Sequence, residues 1–123
     1  MTAPRVRGAT NHAKGVSAEL QVERAYMRNG ARLLKRRWRG AGGEIDLIFC
    51  NGDEILFVEV KSSRTHNQAL MNLSQRQMSR IAISATEFLD TQPLGSLTPM
   101  RMDVAMVDAS GRIEILENAL MSV

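Results

Sequence analysis

The sequence predicts an α/β domain in which a mixed central β-sheet is flanked by helices. Residues 45–50 and 55–60 are apolar runs rich in β-branched and aromatic types, and Asn51-Gly52 between them is typical of a hairpin turn. Residues 78–89 instead carry apolar side chains at the i, i+3, i+4, i+7 spacing of a helix. Strand and helix patterns alternate along the chain, which favours helices packed on a sheet.

Length and composition predict one domain without a membrane span. The chain has 123 residues, of which 44% are hydrophobic, and this is enough for a modest core. No stretch approaches the roughly 18 apolar residues of a membrane span, and the N-terminus lacks the apolar core of a signal peptide. We therefore expect a cytoplasmic protein. The single cysteine, Cys50, excludes an intrachain disulfide and is interpreted as a small core residue.

The N-terminal part of the chain predicts an arm followed by a helix. Residues 1–14 are basic and aperiodic and are expected to form a flexible arm, with residues 15–123 as the single domain. From about Ser17 to Asn29 apolar residues recur at helical spacing, and Gly30 supplies a stop. Glu19 lies in the first turn, where its carboxylate either favours the helix dipole or reaches a metal site as a third acid.

The densest positive charge follows this helix. Leu33 and Leu34 predict a short edge strand, and a basic cluster around an aromatic ring comes next. Such residues can contact phosphates and stack on an unpaired base; alternatively, the ring covers one end of the sheet and the arginines are solvated. Residues 1–64 hold 12 Lys+Arg against 7 Asp+Glu, a balance that suits a polyanionic partner. The candidate nucleic-acid contacts here are Lys35, Arg36, Arg37, Trp38 and Arg39.

The predicted hairpin brings carboxylates together. The apolar rows that should share one face are Ile45, Leu47 and Phe49 on the first strand and Leu56, Val58 and Val60 on the second. The opposite face then carries Asp46, Glu59 and Lys61. A four-residue loop would place Asp46 directly across from Glu59, roughly 5 Å between Cβ atoms, and a two-residue loop would place it diagonally at roughly 7–8 Å.

Converging carboxylates on an apolar strand face favour a bound cation. Two or three such acids are costly unless positive charge lies between them. Carboxylate oxygens with retained waters suit Mg²⁺ or Mn²⁺, which can activate water and stabilise charge on a scissile phosphate. Lys61 would orient the water or offset the developing charge, so Asp46, Glu59 and Lys61 are the candidate catalytic residues. The alternative interpretation is a solvated ion-pair cluster.

The remaining elements complete the sheet. After Lys61 an irregular segment begins, in which Ser62 and Arg64 are close enough in sequence to the site to bind phosphate. Ser74 to Gln77 fits a capping box that opens the second helix, with Gln77 as the capping partner. Arg76 and Arg80 lie four apart on that helix and extend the basic surface.

Two strands finish the chain. Residues 101–107 alternate as a strand, residues 108–111 turn, and residues 112–117 return. Asp103 lies inside the first of these strands, and pairing with Arg101 or another cation is the preferred interpretation. The predicted order is therefore helix, strand, hairpin, helix, strand, strand.

A series of short motifs runs over roughly residues 15 to 120. They are Gly15, Ala18-Glu19, Gly30, Trp38-Arg39, Gly43 to Ile48, Phe57 to Lys61 with Arg64, Arg80-Ile81, Arg101 and Asp103-Val104. In this order the motifs resemble those of the YraN family of small bacterial proteins. That family is similar in fold to archaeal Holliday-junction resolvases and other restriction-endonuclease-like enzymes of the PD-(D/E)xK superfamily. The resemblance implies a homodimer as one possible assembly.

Residue by residue, the resemblance implies metal ligation by Asp46 and Glu59, with Lys61 as the catalytic lysine. It also implies that Glu19 is the acidic helix residue near the metal. The chain departs from the usual pattern in three places. Arg37 replaces a common Asn, Gln77 replaces a common Lys, and the segment after Arg64 lacks the usual Gly.

Two functional hypotheses follow. The first is a Mg²⁺- or Mn²⁺-dependent nuclease that hydrolyses phosphodiester bonds in DNA, with a possible preference for particular DNA structures. The alternative is a non-catalytic nucleic-acid-binding module on the same fold. In both, nucleic acid is the partner and no membrane is involved.

Overall fold

The centre of the fold is a five-stranded mixed sheet. The computed structural model describes residues 17–62 and 75–119. Its strands are β1 (Arg32–Gly40), β2 (Gly43–Asn51), β3 (Glu54–Ser62), β4 (Met100–Val107) and β5 (Ile113–Leu116). Within the described residues two helices accompany them, α1 at residues 17–28 and α2 at Gln75–Leu89, and a 3₁₀ turn covers Gly95–Leu97. The predicted α/β class and element order are confirmed.

The strands lie in the sheet in the same order as in the chain. Neighbours are antiparallel except β3 and β4, which are parallel. A parallel pair cannot be joined by a tight turn, and α2 lies in the crossover between them. In the described parts of the chain, no helix has the length and apolar character needed to cross a membrane.

The two helices cover opposite faces of the sheet. Along β3 successive side chains alternate: Leu56 and Val58 join the core under α1, whereas Ile55 and Phe57 join the core under α2. The α1 core takes Ala18, Val22 and Tyr26 from the helix, and the α2 core takes Ile81, Ala85, Phe88 and Leu89. The helical spacing of these residues in the sequence therefore corresponds to the buried stripes.

Two predicted elements differ in extent. β1 is an edge strand, as predicted, but it runs over nine residues and includes the whole basic cluster. Gly40 and Gly43 pair with each other, so the glycine-rich segment, for which we would expect a flexible lead into the β2–β3 hairpin from its composition, forms a tight hairpin turn. The predicted arm at residues 1–14 and the capping residue Ser74 lie outside the described residues.

The β2–β3 hairpin has one of the two predicted registers. Cys50 pairs with Ile55, and the same register continued one residue past the last pair, Leu47 with Val58, places Asp46 opposite Glu59. This is the register of the predicted four-residue loop, and since Asn51 also pairs with Glu54, the central turn residues within that loop are Gly52 and Asp53. Gly52 has φ 62°, a conformation that glycine adopts at little cost.

The prediction that Ile45 shares a face with Leu47 is wrong. Leu47 lies in the α1 core, whereas Ile45 packs under α2 together with Trp38, its partner across the β1–β2 ladder. The change of face coincides with Arg37, which has a left-handed φ of 49° between the Leu47 and Ile45 levels of the ladder. Beyond this level the side chains of β1 and β2 therefore change faces, and the tip of the β1–β2 hairpin packs against α2.

The tip of the β1–β2 hairpin is fixed to α2 by polar contacts. The Ser84 hydroxyl donates to the Gly43 carbonyl at 2.8 Å, and the Ala41 amide donates to the Glu87 carboxylate at 2.7 Å. Gly42 lies so close to the helix that an added Cβ would overlap the carbonyl oxygen of Arg80. Only glycine fits this position, so its presence reflects helix packing.

Gly42→Ala is expected to lower the free energy of unfolding by about 3 kcal/mol, because α2 must move away from the hairpin tip to accommodate the methyl group. Chemical denaturation of both proteins measures the difference. Ala41→Ser, at the neighbouring exposed position, is the control and should change stability by less than about 0.5 kcal/mol. An unfolding curve for Gly42→Ala that matches the wild type would contradict the close packing.

Candidate functional site

The candidate site lies where β2 separates from β3. The paired ladder ends at Leu47 and Val58, and beyond it the Asp46 carboxylate accepts the Val60 amide hydrogen at 2.8 Å. A side-chain oxygen thus replaces the backbone carbonyl that a continuing ladder would supply. The contact fixes the Asp46 carboxylate between the two strands, beside Glu59.

Glu59 is the buried member of the acid pair. It lies on the α2 side of the sheet with 9% of its surface exposed. Burial raises the pKa of Glu59 to about 9, assisted by its hydrogen bond to Asp46 and by repulsion from the Asp46 and Glu44 carboxylates, while Lys61 acts in the opposite direction. At neutral pH Glu59 is therefore protonated and donates a hydrogen bond to the Asp46 carboxylate.

Lys61 completes the predicted group. It follows Glu59 by two residues on β3, so the two side chains point to the same face, and Lys61 is half-buried. The positive charge of Lys61 favours the ionised form of Glu59 and so opposes the rise in the pKa of Glu59. The structure thus brings together the three residues that the sequence singled out as catalytic.

Glu19 does not join the acid pair. Its carboxylate accepts two hydrogen bonds from the Arg37 guanidinium, from Nε at 3.1 Å and from Nη2 at 3.3 Å. Across residues 17–62 and 75–119, no three His, Cys, Asp or Glu side chains are grouped closely enough to hold a metal ion. Two carboxylates, Asp46 and Glu59, are therefore the acidic groups that lie together here.

The adjacent Arg36 forms a parallel ion pair. Its guanidinium donates to both carboxylate oxygens of Glu23, at 2.7 and 2.9 Å. This hydrogen-bonded pair, with the charge of Arg36, lowers the pKa of Glu23 despite the opposing effect of burial. Side chains of consecutive strand residues normally point to opposite faces, but the left-handed conformation of Arg37 lets both arginines reach α1.

These two ion pairs were not predicted, although the sequence contains the signal for them. Glu19 and Glu23 are four apart and therefore share one face of α1. Arg36 and Arg37 are the matching cations, but strand alternation would have directed only one of them to that face. The left-handed residue that permits both is not visible in the sequence pattern, because arginine seldom adopts that conformation.

The other candidate nucleic-acid contacts differ in how much of each side chain is exposed. Trp38 is half-buried and meets Phe88 edge-on with ring centroids 5.3 Å apart, so the ring covers the end of the sheet under α2. Arg64 lies outside the described residues. The candidates that are exposed at the surface are Lys35, Arg39, Ser62, Arg76 and Arg80.

Asp103 is a structural acid, as its predicted pairing with Arg101 indicated. The Arg101 guanidinium donates to both of its oxygens at 2.8 and 2.9 Å, and the Tyr26 hydroxyl donates at 2.7 Å. Burial, and then the hydrogen bond to Asp103, raises the pKa of Tyr26. The backbone amide of Asn118 also donates to this carboxylate at 2.9 Å, so the cluster ties α1 and the C-terminal segment to β4.

Replacing Glu59 should change how stability depends on pH. Because its folded-state pKa is raised from 4.5 to about 9, the stability that Glu59 contributes is complete below the lower value and is lost as pH rises toward the upper one. Glu59→Gln keeps the shape without the titration. Between about pH 5 and about pH 8 the difference in unfolding free energy should move in favour of the variant by at least about 1 kcal/mol.

Denaturant titrations of both proteins across this pH range measure the effect. Asp90→Asn, which removes an exposed carboxyl group, is the control and should follow the wild type. Parallel pH profiles for the wild type and Glu59→Gln would show that Glu59 titrates as an ordinary surface acid.

Comparison with known proteins finds one family, both in a family model and in individual relatives. The uncharacterised protein family UPF0102 matches residues 18–107. A UPF0102 protein of Ruegeria pomeroyi is 56% identical, over 92% of this chain and 92% of that protein, and one of Cereibacter sphaeroides is 54% identical over 91% and 96%. One of Dinoroseobacter shibae is 46% identical over 97% and 89%. The chain therefore belongs to the UPF0102 family, which is the YraN family that its motifs resemble.

Proposed function

We propose that this protein is a metal-dependent nuclease that hydrolyses phosphodiester bonds in DNA. The observation that carries the proposal is the pairing of Asp46 with the buried Glu59 at the point where β2 leaves β3, with Lys61 on the same face. The proposal includes a restriction-endonuclease-like fold related to that of the junction resolvases. It extends to structured DNA as substrate, to a homodimer as one assembly, and to a cytoplasmic location.

The acid pair fits a divalent cation. Carboxylate oxygens are the hard ligands that Mg²⁺ and Mn²⁺ prefer, and two carboxylates leave room for the several waters that Mg²⁺ retains. Besides burial, repulsion from Asp46 and Glu44 raises the pKa of Glu59, and a bound cation would offset this repulsion. Asp46 and Glu59 are therefore the proposed ligands, and the ion would supply water activation and stabilise charge on the phosphate.

The chain itself supplies three further actions. The Val60 amide holds the Asp46 carboxylate in one orientation, so this ligand is positioned before any ion binds. The Lys61 ammonium, on the same face as Glu59, can donate a hydrogen bond to the attacking water or to a phosphate oxygen. The apolar residues around Glu59 reduce competition from bulk water and strengthen these electrostatic interactions.

Exposed basic residues support a polyanionic substrate. Lys35 and Arg39 lie on the edge strand β1, and Arg76 and Arg80 lie on α2. Such side chains neutralise phosphates without reading sequence, so their contribution should depend strongly on salt.

Asp46→Asn and Lys61→Met are each expected to reduce DNA cleavage by at least about 100-fold, since one removes the charge of a metal ligand and the other removes a donor at the reacting phosphate. Plasmid, four-way junction, flap and single-stranded DNA are incubated with each protein in Mg²⁺ or Mn²⁺. Asp53→Asn, which changes an exposed turn carboxylate, is the matched control and should cleave like the wild type. Wild-type protein that binds these DNAs and cleaves none would instead support the non-catalytic binding module.

Binding of Mn²⁺ near pH 7 should release about one proton, because the ion replaces the proton held by the acid pair. Calorimetric titrations in two buffers of different ionisation enthalpy measure the number released. Glu59→Gln has no proton to lose at this position and should bind more weakly without release. Metal binding by the wild type without proton release would exclude the Asp46–Glu59 pair as the site.

A further inference from the structure

Arg37 is the most strained residue near the acid pair. Its φ of 49° is left-handed, a conformation that costs free energy for a residue with a long side chain. Asn118 is the other non-glycine residue with positive φ in the described parts of the chain, and asparagine tolerates that conformation well. Strain of this kind persists when the surrounding structure enforces it, and it is concentrated at ligand sites.

The Arg37 side chain is held at one end and available at the other. Nε and Nη2 bind the two oxygens of Glu19, which is a side-on pairing. A guanidinium has five N–H donors, so this pairing leaves both hydrogens of Nη1 and one of Nη2 on its end. Among the described residues no acceptor contacts Nη1, and 47% of the side-chain surface is exposed. The end of the guanidinium can therefore receive a second planar anion.

The position of Arg37 relates it to the acid pair. Arg36 pairs with Leu47 and Trp38 pairs with Ile45, so Arg37 and Asp46 lie at the same level of the β1–β2 ladder. Glu19 raises the pKa of Arg37 most, and the charges of Glu44 and Asp46 act in the same direction. The guanidinium thus lies within electrostatic reach of the proposed metal ligands.

We propose that Arg37, oriented by Glu19, binds the phosphodiester group of a nucleic acid beside the Asp46–Glu59 pair. The inference rests on the proposed function for the identity of the ligand, and it assigns Glu19 to positioning Arg37 instead of ligating metal. A phosphate oxygen pair matches the free end of the guanidinium, since arginine binds phosphates through two parallel N–H groups. Arg36 is not assigned this role, because it pairs with Leu47 and so lies one residue further from the acid pair along the ladder.

Arg37→Asn tests the inference without adding backbone strain, because asparagine accepts the left-handed conformation. Anisotropy of a fluorescein-labelled DNA duplex and of a labelled junction is measured in Ca²⁺ and in EDTA, over a range of salt. The variant is expected to bind about 10-fold more weakly, and the slope of log affinity against log salt should decrease by about 1. Circular dichroism and thermal unfolding confirm that the variant is folded.

Two further variants separate recognition from charge. Arg28→Asn removes the same charge from an exposed position near the opposite end of α1, and it should change affinity by less than about twofold. Arg37→Lys keeps the charge but lacks the planar fork. It should restore the salt slope without restoring full affinity, since an ammonium cannot hold Glu19 and a phosphate through one rigid plane.

The outcomes distinguish this inference from the nuclease proposal. Selective loss of binding in Arg37→Asn supports the inference whether or not the wild type cleaves DNA in Mg²⁺ or Mn²⁺. Equal affinities for Arg37→Asn and Arg28→Asn would overturn it, even if the wild type proves to be a nuclease. Absence of wild-type binding to either DNA, or full competition by millimolar inorganic phosphate alone, would also overturn it.

Discussion

The arrangement of the candidate site depends on one hydrogen bond, from the Val60 amide to the Asp46 carboxylate. Strands normally satisfy such amides with backbone carbonyls, and an unsatisfied amide in a sheet is costly. Because a side chain accepts here, β2 can leave β3 while both strands remain anchored. The same bond holds Asp46 beside Glu59. The interruption of the β2–β3 ladder and the pairing of the two carboxyl groups therefore arise from one contact.

The neighbouring strand adjusts to this departure. Arg37 adopts a left-handed conformation at the level of Asp46, and the ribbon beyond it turns over to bury Trp38 and Ile45 under α2. Arg36 and Arg37 pair with acids on α1. Both helices therefore contact this irregular part of β1 and β2, α1 through ion pairs and α2 through packing and the glycine-rich turn.

Much of this arrangement could be predicted from local patterns. Periodicity identified the helices and strands. Regular alternation of side chains along the β2–β3 hairpin was enough to predict that Asp46, Glu59 and Lys61 lie together. The failures lie where geometry is irregular. Ile45 was assigned to the wrong face, and the partners of Arg36 and Arg37 were missed, because a left-handed arginine has no signature in composition or spacing. For the β2–β3 turn the sequence left two loop lengths open, because turn preferences alone do not determine whether Asn51 pairs with Glu54.

The Val60 amide has a consequence for how the site can be observed. Its hydrogen bond ends on the carboxylate that is also hydrogen-bonded to Glu59, so a change in the ionisation of Glu59 or a cation bound at this carboxylate alters the electron density at the acceptor. Amide chemical shifts respond to the strength of such bonds. In an isotope-labelled sample, the nuclear resonance of this single backbone group would report the state of the acid pair directly, without a substrate or an attached probe.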